Sequence, residues 1–315
     1  MENEKKIAVL LPCYNEEATV EKVVRDFLRV LPTATVYVYN NNSTDRTAEI
    51  AASIDPERVV VRNEYRQGKG NVIRSMFRDV EADCYLMADG DDTYPAEHAP
   101  ELCAAVLEER YDMAIGDRLS STYYTENKRR FHNTGNRLVK WLVNRLFHGN
   151  VKDIMTGYRA FSYAFVKSVP VLSRGFEVET EMTIHALDRR LRIVEIPVQY
   201  RDRPEGSVSK LNTIRDGMRV LRTIFFMCRD YRPMFFFTLF ALLFFGAGCG
   251  FFVPVLIEYF KTGLVPRLPT LIVAVLLFLS ALLSFATGNI LDVIIKRDRQ
   301  RAVAELSRIE RSGKR

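Results

Sequence analysis

Two stretches of the chain carry no charge at all. Residues 234–257 (MFFFTLFALLFFGAGCGFFVPVLI) and 268–291 (LPTLIVAVLLFLSALLSFATGNIL) each exceed the roughly 20 apolar residues needed to cross a bilayer. Ten residues, EYFKTGLVPR, join them. Two buried core helices would read the same way, but two such stretches set so close predict a transmembrane hairpin. Gly246, Gly248 and Gly250 would allow close helix approach.

Charge predicts the orientation of that hairpin. Residues 201–232 carry eight Arg/Lys against four acids, and 296–315 carry eight against three. These flanks together exceed the +6 of the whole chain, so the remainder is slightly acidic. The join offers only Lys261 and Arg267 as cations. By the positive-inside rule the N-terminal part and the tail are both cytoplasmic. The basic balance then belongs to membrane flanks and not to a nucleic-acid surface. The opening MENEKKIAVLLPCYNEE does not read as a signal peptide, because its apolar run is short. Cysteines 13, 84, 103, 228 and 249 show no metal or redox spacing and read as buried thiols. The four histidines show no ligand spacing either.

Before the hairpin, short apolar runs alternate with amphipathic ones. KIAVLLP, ATVYVYN, RVVVRN, CYLMAD and YDMAIGD read as strands. EEATVEKVVRDFLRVL, TDRTAEIAAS, GNVIRSMFRDV and AEHAPELCAAVLEER read as helices, the first burying Val20, Val23, Val24, Phe27 and Leu28. This alternation predicts an α/β domain with a doubly wound, mostly parallel sheet. Ligands of such sheets bind beyond the carboxyl ends of the strands, where PCYNEE, NNNSTDRT, RQGKGN and DGDD fall. Residues 134–148 and ETEMTIHALDRR read as further helices, and RIVEIPVQY as a strand. The expected organisation is a catalytic domain over 1–210, an amphipathic basic helix over 211–232, spans near 234–257 and 268–291 within 233–292, and a tail from 293 to 315. The helix over 211–232 suits a membrane interface, with the surface of the soluble domain as the alternative.

YLMADGDDTYP raises the chemical question, since three carboxylates at one strand end repel one another. Asp89 and Asp91 are two residues apart and point the same way in an extended chain. Hard carboxylate oxygens favour Mg²⁺ or Mn²⁺, with positions left open for phosphate. Alone, the pattern better describes a turn or a helix cap; its place at a strand end in a parallel sheet favours the metal.

LLPCYNEEATV, NNNSTDRT, GKGNVIRSMF, MADGDD, GDR, TGYRAF, FEVETEM and YRDRPEGSVSKL occur in that order. Over residues 6–232 the chain resembles family-2 glycosyltransferases with the Rossmann-like GT-A fold, and among them the polyprenyl-phosphate and dolichyl-phosphate glycosyltransferases. The resemblance implies a nucleotide-diphosphate sugar donor, a polyprenyl phosphate acceptor, a bilayer, Mg²⁺ or Mn²⁺ on Asp91 and Asp89, and homotetramers in some members. Pro12, Tyr14, Asn15 and Glu16 match the base- and ribose-binding segment. Asn42 and Asp45 match a second nucleotide loop, with Ser43 or Thr44 as a competing helix cap. Lys69 matches a contact to the donor diphosphate, its flanking glycines letting backbone come close. Thr93 stands where relatives often place a glutamine, which leaves a third metal contact in doubt. Arg118 matches an arginine for the lipid phosphate, although Asp117 replaces a common serine. Arg129, or Arg130, and Asn133 approximately complete that acceptor site. Arg203, Ser209 and Lys210 match a second basic motif near both phosphates; arginine's fork suits phosphate. Of Glu177, Glu179 and Glu181, which do not share a helix face, one is expected at the sugar hydroxyls. Thr156, Gly157 and Arg159 lie near substrate or serve as scaffold.

The implied reaction is an inverting transfer, with glucose or a related hexose from a UDP-sugar as leading donor and GDP-mannose as the alternative. Processive sugar polymerases of this fold carry Q-x-x-R-W, and Trp141, the only tryptophan, lies in LVKWLVN instead. A nucleotidyltransferase, a transporter of two spans and a silent nucleotide-sugar-binding scaffold are the remaining alternatives.

Overall fold

The computed structural model describes residues 5–120, 130–201 and 213–311. It divides into two compact units, one of residues 1–224 with 304–315 and one of 225–303.

The first unit is built on a sheet. Its strands are β1 (Ile7–Cys13), β2 (Thr35–Asn40), β3 (Val59–Asn63), β4 (Cys84–Met87), β5 (Met113–Asp117), β6 (Arg159–Ser162) and β7 (Ile193–Pro197). Among the described residues they run in the order β3-β2-β1-β4-β6-β5-β7. Every pairing is parallel except those of β6, which is antiparallel to β4 and β5. The parallel strands read as continuous apolar runs because both faces are covered. Val9, Leu11, Val36, Val38 and Leu86 are all fully buried. β6 escapes the sequence reading because RAFS is four residues long, buried on both faces and without alternation.

Helices α1 (Val20–Val30), α2 (Thr47–Ile54), α3 (Lys69–Asp79), α4 (Ala99–Leu107), α5 (Arg130–Phe147), α6 (Tyr163–Ser168) and α7 (Val178–Asp188) belong to this unit. α1 buries Val20, Val23, Val24 and Phe27, as its spacing predicts. It starts later than expected, since Glu16 O instead accepts from Thr19 N and Val20 N in a tight turn. A short 3₁₀ turn, Ala96–His98, precedes α4 where one longer helix is expected.

Strand register places the functional loops together. Cys13 pairs with Asn40 and Asn40 with Asn63, so β1, β2 and β3 end on one edge. Leu10 pairs with Met87, and Met87 with Arg159. The antiparallel β6 therefore begins where β4 ends, and residues just before Arg159 meet those just after Met87.

α8 (Thr213–Tyr231) follows, and the boundary between units falls inside it. The second unit contains α9 (Pro233–Thr262) and most of α10 (Leu268–Arg311), whose end from residue 304 is assigned to the first unit. Pro233–Thr262 and Leu268–Arg301 are long and apolar enough to cross a membrane. Gly263, at φ 71°, ends α9 in the left-handed conformation that glycine accepts without cost. Within the unit the helices are antiparallel: Arg299 Nη2 donates to Tyr231 O, and Gly288 packs on Phe237. Of the three glycines expected to mediate contact only Gly248 does so, lying under Phe278; a Cβ there would come within 2.9 Å of the ring. Gly246 and Gly250 face open space, because neither shares the Gly248 side of the helix.

Candidate active site

A cleft of about 250 Å³ opens at the carboxyl ends of β1, β2 and β4. Pro12, Tyr14, Glu16, Lys69, Asp89 and Asp91 line it, with Phe176 opposite.

The three carboxylates of DGDD prove to have separate partners. Asp92 leaves the group, its backbone at φ 59° and its side chain paired with Lys22 at 2.7 Å. Asp91, 3% exposed, accepts from the Thr93 hydroxyl at 2.6 Å and from Thr93 N at 3.3 Å. The hydroxyl of Thr93 is thus directed at Asp91. Asp89 pairs with the Lys69 ammonium at 2.5 Å.

Lys69 is the centre of this arrangement. Its Nζ also lies 2.6 Å from Glu179 Oε1, and 5.8 Å from the ring centroid of Phe176. Burial alone would lower its pKa, but the Asp89 and Glu179 carboxylates outweigh it and hold the ammonium well above the usual lysine range. Burial raises the Glu179 carboxyl, against the pull of Lys69. Glu179 Oε2 is buried and accepts no hydrogen bond. Gly157 closes the other side: a Cβ there would stand 2.9 Å from Asp89 Oδ2 and 3.0 Å from Lys69 Nζ. The ion pair packs directly on the Gly157 backbone, so a side chain there would make Asp89 or Lys69 shift.

The glycines beside Lys69 serve a different neighbour from the one expected. Gly68 has φ +126°, and a Cβ on it would stand 2.2 Å from Arg174 O; at Gly70 the obstacle is Ser173 O, at 2.3 Å. Gly70 N donates to Arg174 O at 3.0 Å. The close approach is to the 173–174 segment, which Glu181 and Glu177 brace in turn. Glu181 accepts from Leu172 N and Ser173 N, both at 2.8 Å, and Glu177 from Gly175 N at 3.1 Å. The three glutamates of FEVETEM diverge as predicted, and only Glu179 reaches Lys69.

The loops after β1 and β2 form one stitched unit. Asn15, at φ 53°, donates its N–H to Ser43 Oγ and accepts from Thr44 N through Oδ1. Glu16 N donates to Thr47 Oγ1 at 2.8 Å and Glu17 N to Asp45 Oδ2 at 3.1 Å. Asp45 accepts from Thr47 N and Oγ1, so Asp45, not Ser43 or Thr44, is the side-chain acceptor at the start of α2, whose N-cap position is Arg46. Asn42 turns from the cleft lining and donates to Tyr65 O and Gln67 Oε1. Asn41, which sequence reasoning passed over, is 4% exposed and ties the β2 end to Glu64 O, Arg66 O and Gly68 N. No local signal separates it from Asn40 and Asn42; only the fold brings those three backbone groups to it.

Arg118 is buried beyond β5 and held by Asp153, Nε to Oδ2 at 2.8 Å and Nη2 to Oδ1 at 3.1 Å. Its guanidinium carbon lies 5.6 Å from the Tyr200 ring centroid. Asp117 is taken up by the following turn, accepting from Leu119 N and from Ser120 N and Oγ. Arg159 is scaffold. It is fully buried, donating to Thr156 O, Ile154 O and Thr183 Oγ1, and burial lowers its pKa to about 10. Arg129, Arg203, Ser209, Lys210 and the side chains of Arg130 and Asn133 lie outside the described residues and side chains.

Among the described residues no group of three or more His, Cys, Asp or Glu could hold a metal ion. Among the described residues the donor set for a divalent cation is therefore two carboxylates at most. That fits Mg²⁺ or Mn²⁺ only as an ion completed by phosphate oxygens and water.

The chain is 31% identical to glycosyltransferase AglJ of Haloferax volcanii over 306 residues, covering 95% of this chain and 98% of that one. It is 28% identical over 226 residues to a dolichyl-phosphate hexose transferase of the same organism, covering 72% and 95%. Among solved structures, glucosyl-3-phosphoglycerate synthase of Mycobacterium tuberculosis, in complex with Mn²⁺, UDP-glucose and phosphoglyceric acid, aligns at TM-score 0.58 and 23% identity. That alignment covers 71% of this chain and 80% of that one, a likeness of GT-A fold. The pattern described as Glycosyl transferase family 2 matches residues 8–169; the chain belongs to that family.

Proposed function

We propose that the chain is a membrane-anchored, inverting glycosyltransferase that moves a hexose from a nucleotide diphosphate to polyprenyl phosphate. The observation that carries this reading is the acidic pair Asp89 and Asp91 in a cleft at the strand ends, on a chain with two helices long enough to span a bilayer. The names of the relatives support the acceptor class; glucose or a related hexose from a UDP-sugar is the leading donor, with GDP-mannose as the alternative.

In this reading Pro12, Tyr14, Asn15 and Glu16 hold the nucleotide, on a loop that Asp45 and Asn42 keep in place. Asp91, oriented by Thr93, and Asp89 would hold Mg²⁺ or Mn²⁺, which when bound neutralises charge on the diphosphate leaving group. Lys69 supplies a fixed positive charge beside the diphosphate, and Glu179 keeps it there. The acceptor is a phosphate monoester whose second pKa is about 6, so its oxygen is already largely anionic at neutral pH. It attacks the anomeric carbon directly. A bond forms between that carbon and the acceptor oxygen, the bond to the donor diphosphate breaks, and no proton transfer to the protein is needed. The protein's task is to bring two anions into line. Arg203, Arg129 and Asn133, with Ser209 and Lys210 at the donor side, meet the phosphates. Arg118 is paired with Asp153, so the acceptor phosphate competes with that carboxylate. The positive flanks orient the catalytic unit and the tail toward the cytoplasm.

The test is transfer by purified chain in detergent, with undecaprenyl phosphate and a panel of labelled UDP- and GDP-hexoses. Glycolipid from one donor, abolished by chelator and by Asp91→Asn, supports the reading. Donor binding or hydrolysis without glycolipid refutes the acceptor class, and full activity of Asp91→Asn refutes the metal assignment.

A further inference from the structure

Gln67 stands at the mouth of the cleft, exposed, in the loop between β3 and α3. The proposed reaction gives it no role, yet its backbone is held on both sides. Glu64 O and Arg66 O accept from Asn41 Nδ2 at 2.8 and 2.9 Å, and Gly68 N donates to Asn41 Oδ1 at 2.7 Å. Arg66 N donates to Glu64 Oε1 at 2.8 Å, and Gln67 O accepts from Asn71 Nδ2 at 3.1 Å. This support fixes the root of a side chain that has no core to pack against.

The carboxamide is oriented as well as placed. Which end of an amide is oxygen follows from its partners. Tyr65 O is a carbonyl and only accepts, so the Asn42 atom 2.9 Å from it is Nδ2. The same Nδ2 lies 3.2 Å from the Gln67 carboxamide, and its second hydrogen therefore meets Gln67 Oε1. Gln67 gives its oxygen to Asn42 and keeps an NH₂ group that can only donate. Among the described residues no protein group accepts from that Nε2.

Nucleotide bases divide on this point. Thymine-type pyrimidines such as uracil, and guanine, carry a keto oxygen where cytosine and adenine carry an amino group. An amide free to turn would serve either kind, by presenting its oxygen or its nitrogen. The bond from Asn42 removes that choice.

We infer that Gln67 is a base-reading residue of the donor site, its Nε2 donating to the keto oxygen of uracil or guanine and thereby disfavouring cytosine and adenine. This rests on the proposed nucleotide-diphosphate sugar donor and narrows it to keto bases. Asn42 acts on that choice through Gln67, by holding the amide one way round.

The test is calorimetric titration of the full chain in detergent, with Mn²⁺ and with UDP, CDP, GDP or ADP. The quantity read is the keto-to-amino affinity ratio, UDP over CDP or GDP over ADP, at the ring size that binds more tightly. Wild type should give a ratio of about five to ten, the size of one hydrogen bond. Gln67→Glu keeps the length and the acceptor facing Asn42 but replaces the donor with a second acceptor. The ratio should then fall below one, and taking a ratio removes the general effect of an added negative charge near the diphosphate. Asn42→Leu should bring it close to one, because the Gln67 amide is then free to turn. Both side chains are exposed, so neither change disturbs the core. A wild-type ratio near one overturns the inference. A ratio that Gln67→Glu leaves unchanged overturns it too: with affinities intact the base is read elsewhere, and with both nucleotides weakened alike Gln67 meets a group common to them. A chain that binds none of the four overturns the nucleotide donor and this inference together; one that binds keto and amino bases equally overturns only the reading of the base.

Discussion

Lys69→Met leaves two carboxylates facing each other where one ammonium now serves both. The Lys69 and Glu179 side chains are 9% and 4% exposed and that of Asp89 27% exposed, so Asp89 reaches water and Glu179 bears the cost. Removing one partner of a buried pair costs about 3–5 kcal/mol. Glu179 can limit the loss by taking a proton. From the ordinary carboxyl value of 4.5, protonation at pH 7 costs about 3.4 kcal/mol, at about 1.4 kcal/mol per pH unit. The variant should therefore be less stable by about 3 kcal/mol at pH 7, which lowers the midpoint by roughly 6–12 °C for a unit of this size. The sign with pH follows from the raised pKa of Glu179. A carboxyl raised on folding favours the folded state below 4.5, and that contribution is lost as pH rises through the folded value. The deficit of Lys69→Met should shrink as pH falls from 7 toward 5, and adding Glu179→Gln should remove most of the deficit and its slope. A thiol-reactive dye in detergent reads the transition, since Cys13, Cys84 and Cys103 are buried in the sheet unit. An unchanged midpoint at pH 7, with no slope against wild type, would refute the claim that Lys69 compensates Glu179.

Two further outcomes are expected. Gly157→Ala must displace Asp89 or Lys69, whose atoms lie 2.9 and 3.0 Å from the added methyl position; turnover should fall by about 10²-fold or less with a smaller effect on donor binding, measured by transfer rate and donor titration. Gly248→Leu should push α9 from Phe278 and lower the detergent inactivation midpoint, while Gly250→Leu, facing open space, should leave it unchanged.

Much of the fold was legible because its signals are local. The alternation of short apolar runs with amphipathic ones identified β1 to β5, β7 and the helices between them. Errors fell where a segment is short or buried all round: β6 and the six-residue α6 show no period to read. The cleft position was legible from the motifs at strand ends. Their hydrogen-bond partners were not. Asp45 and Asn42 also tie loops together, and the Lys69 glycines admit residues 173–174. Asn41 looked like either of its neighbours.

By itself the sequence determined the two uncharged apolar stretches, the helix and strand periods, and the basic charge of the flanks, because each is written within some twenty consecutive residues. Tertiary structure decided which glycine of α9 meets Phe278, which of three asparagines is buried, and that Lys69 lies between Asp89 and Glu179. The last two sit 20 and 110 residues further along the chain, and only the strand order and the antiparallel β6 bring them into contact. Pairings of that kind depend on register across the sheet, for which no local pattern exists.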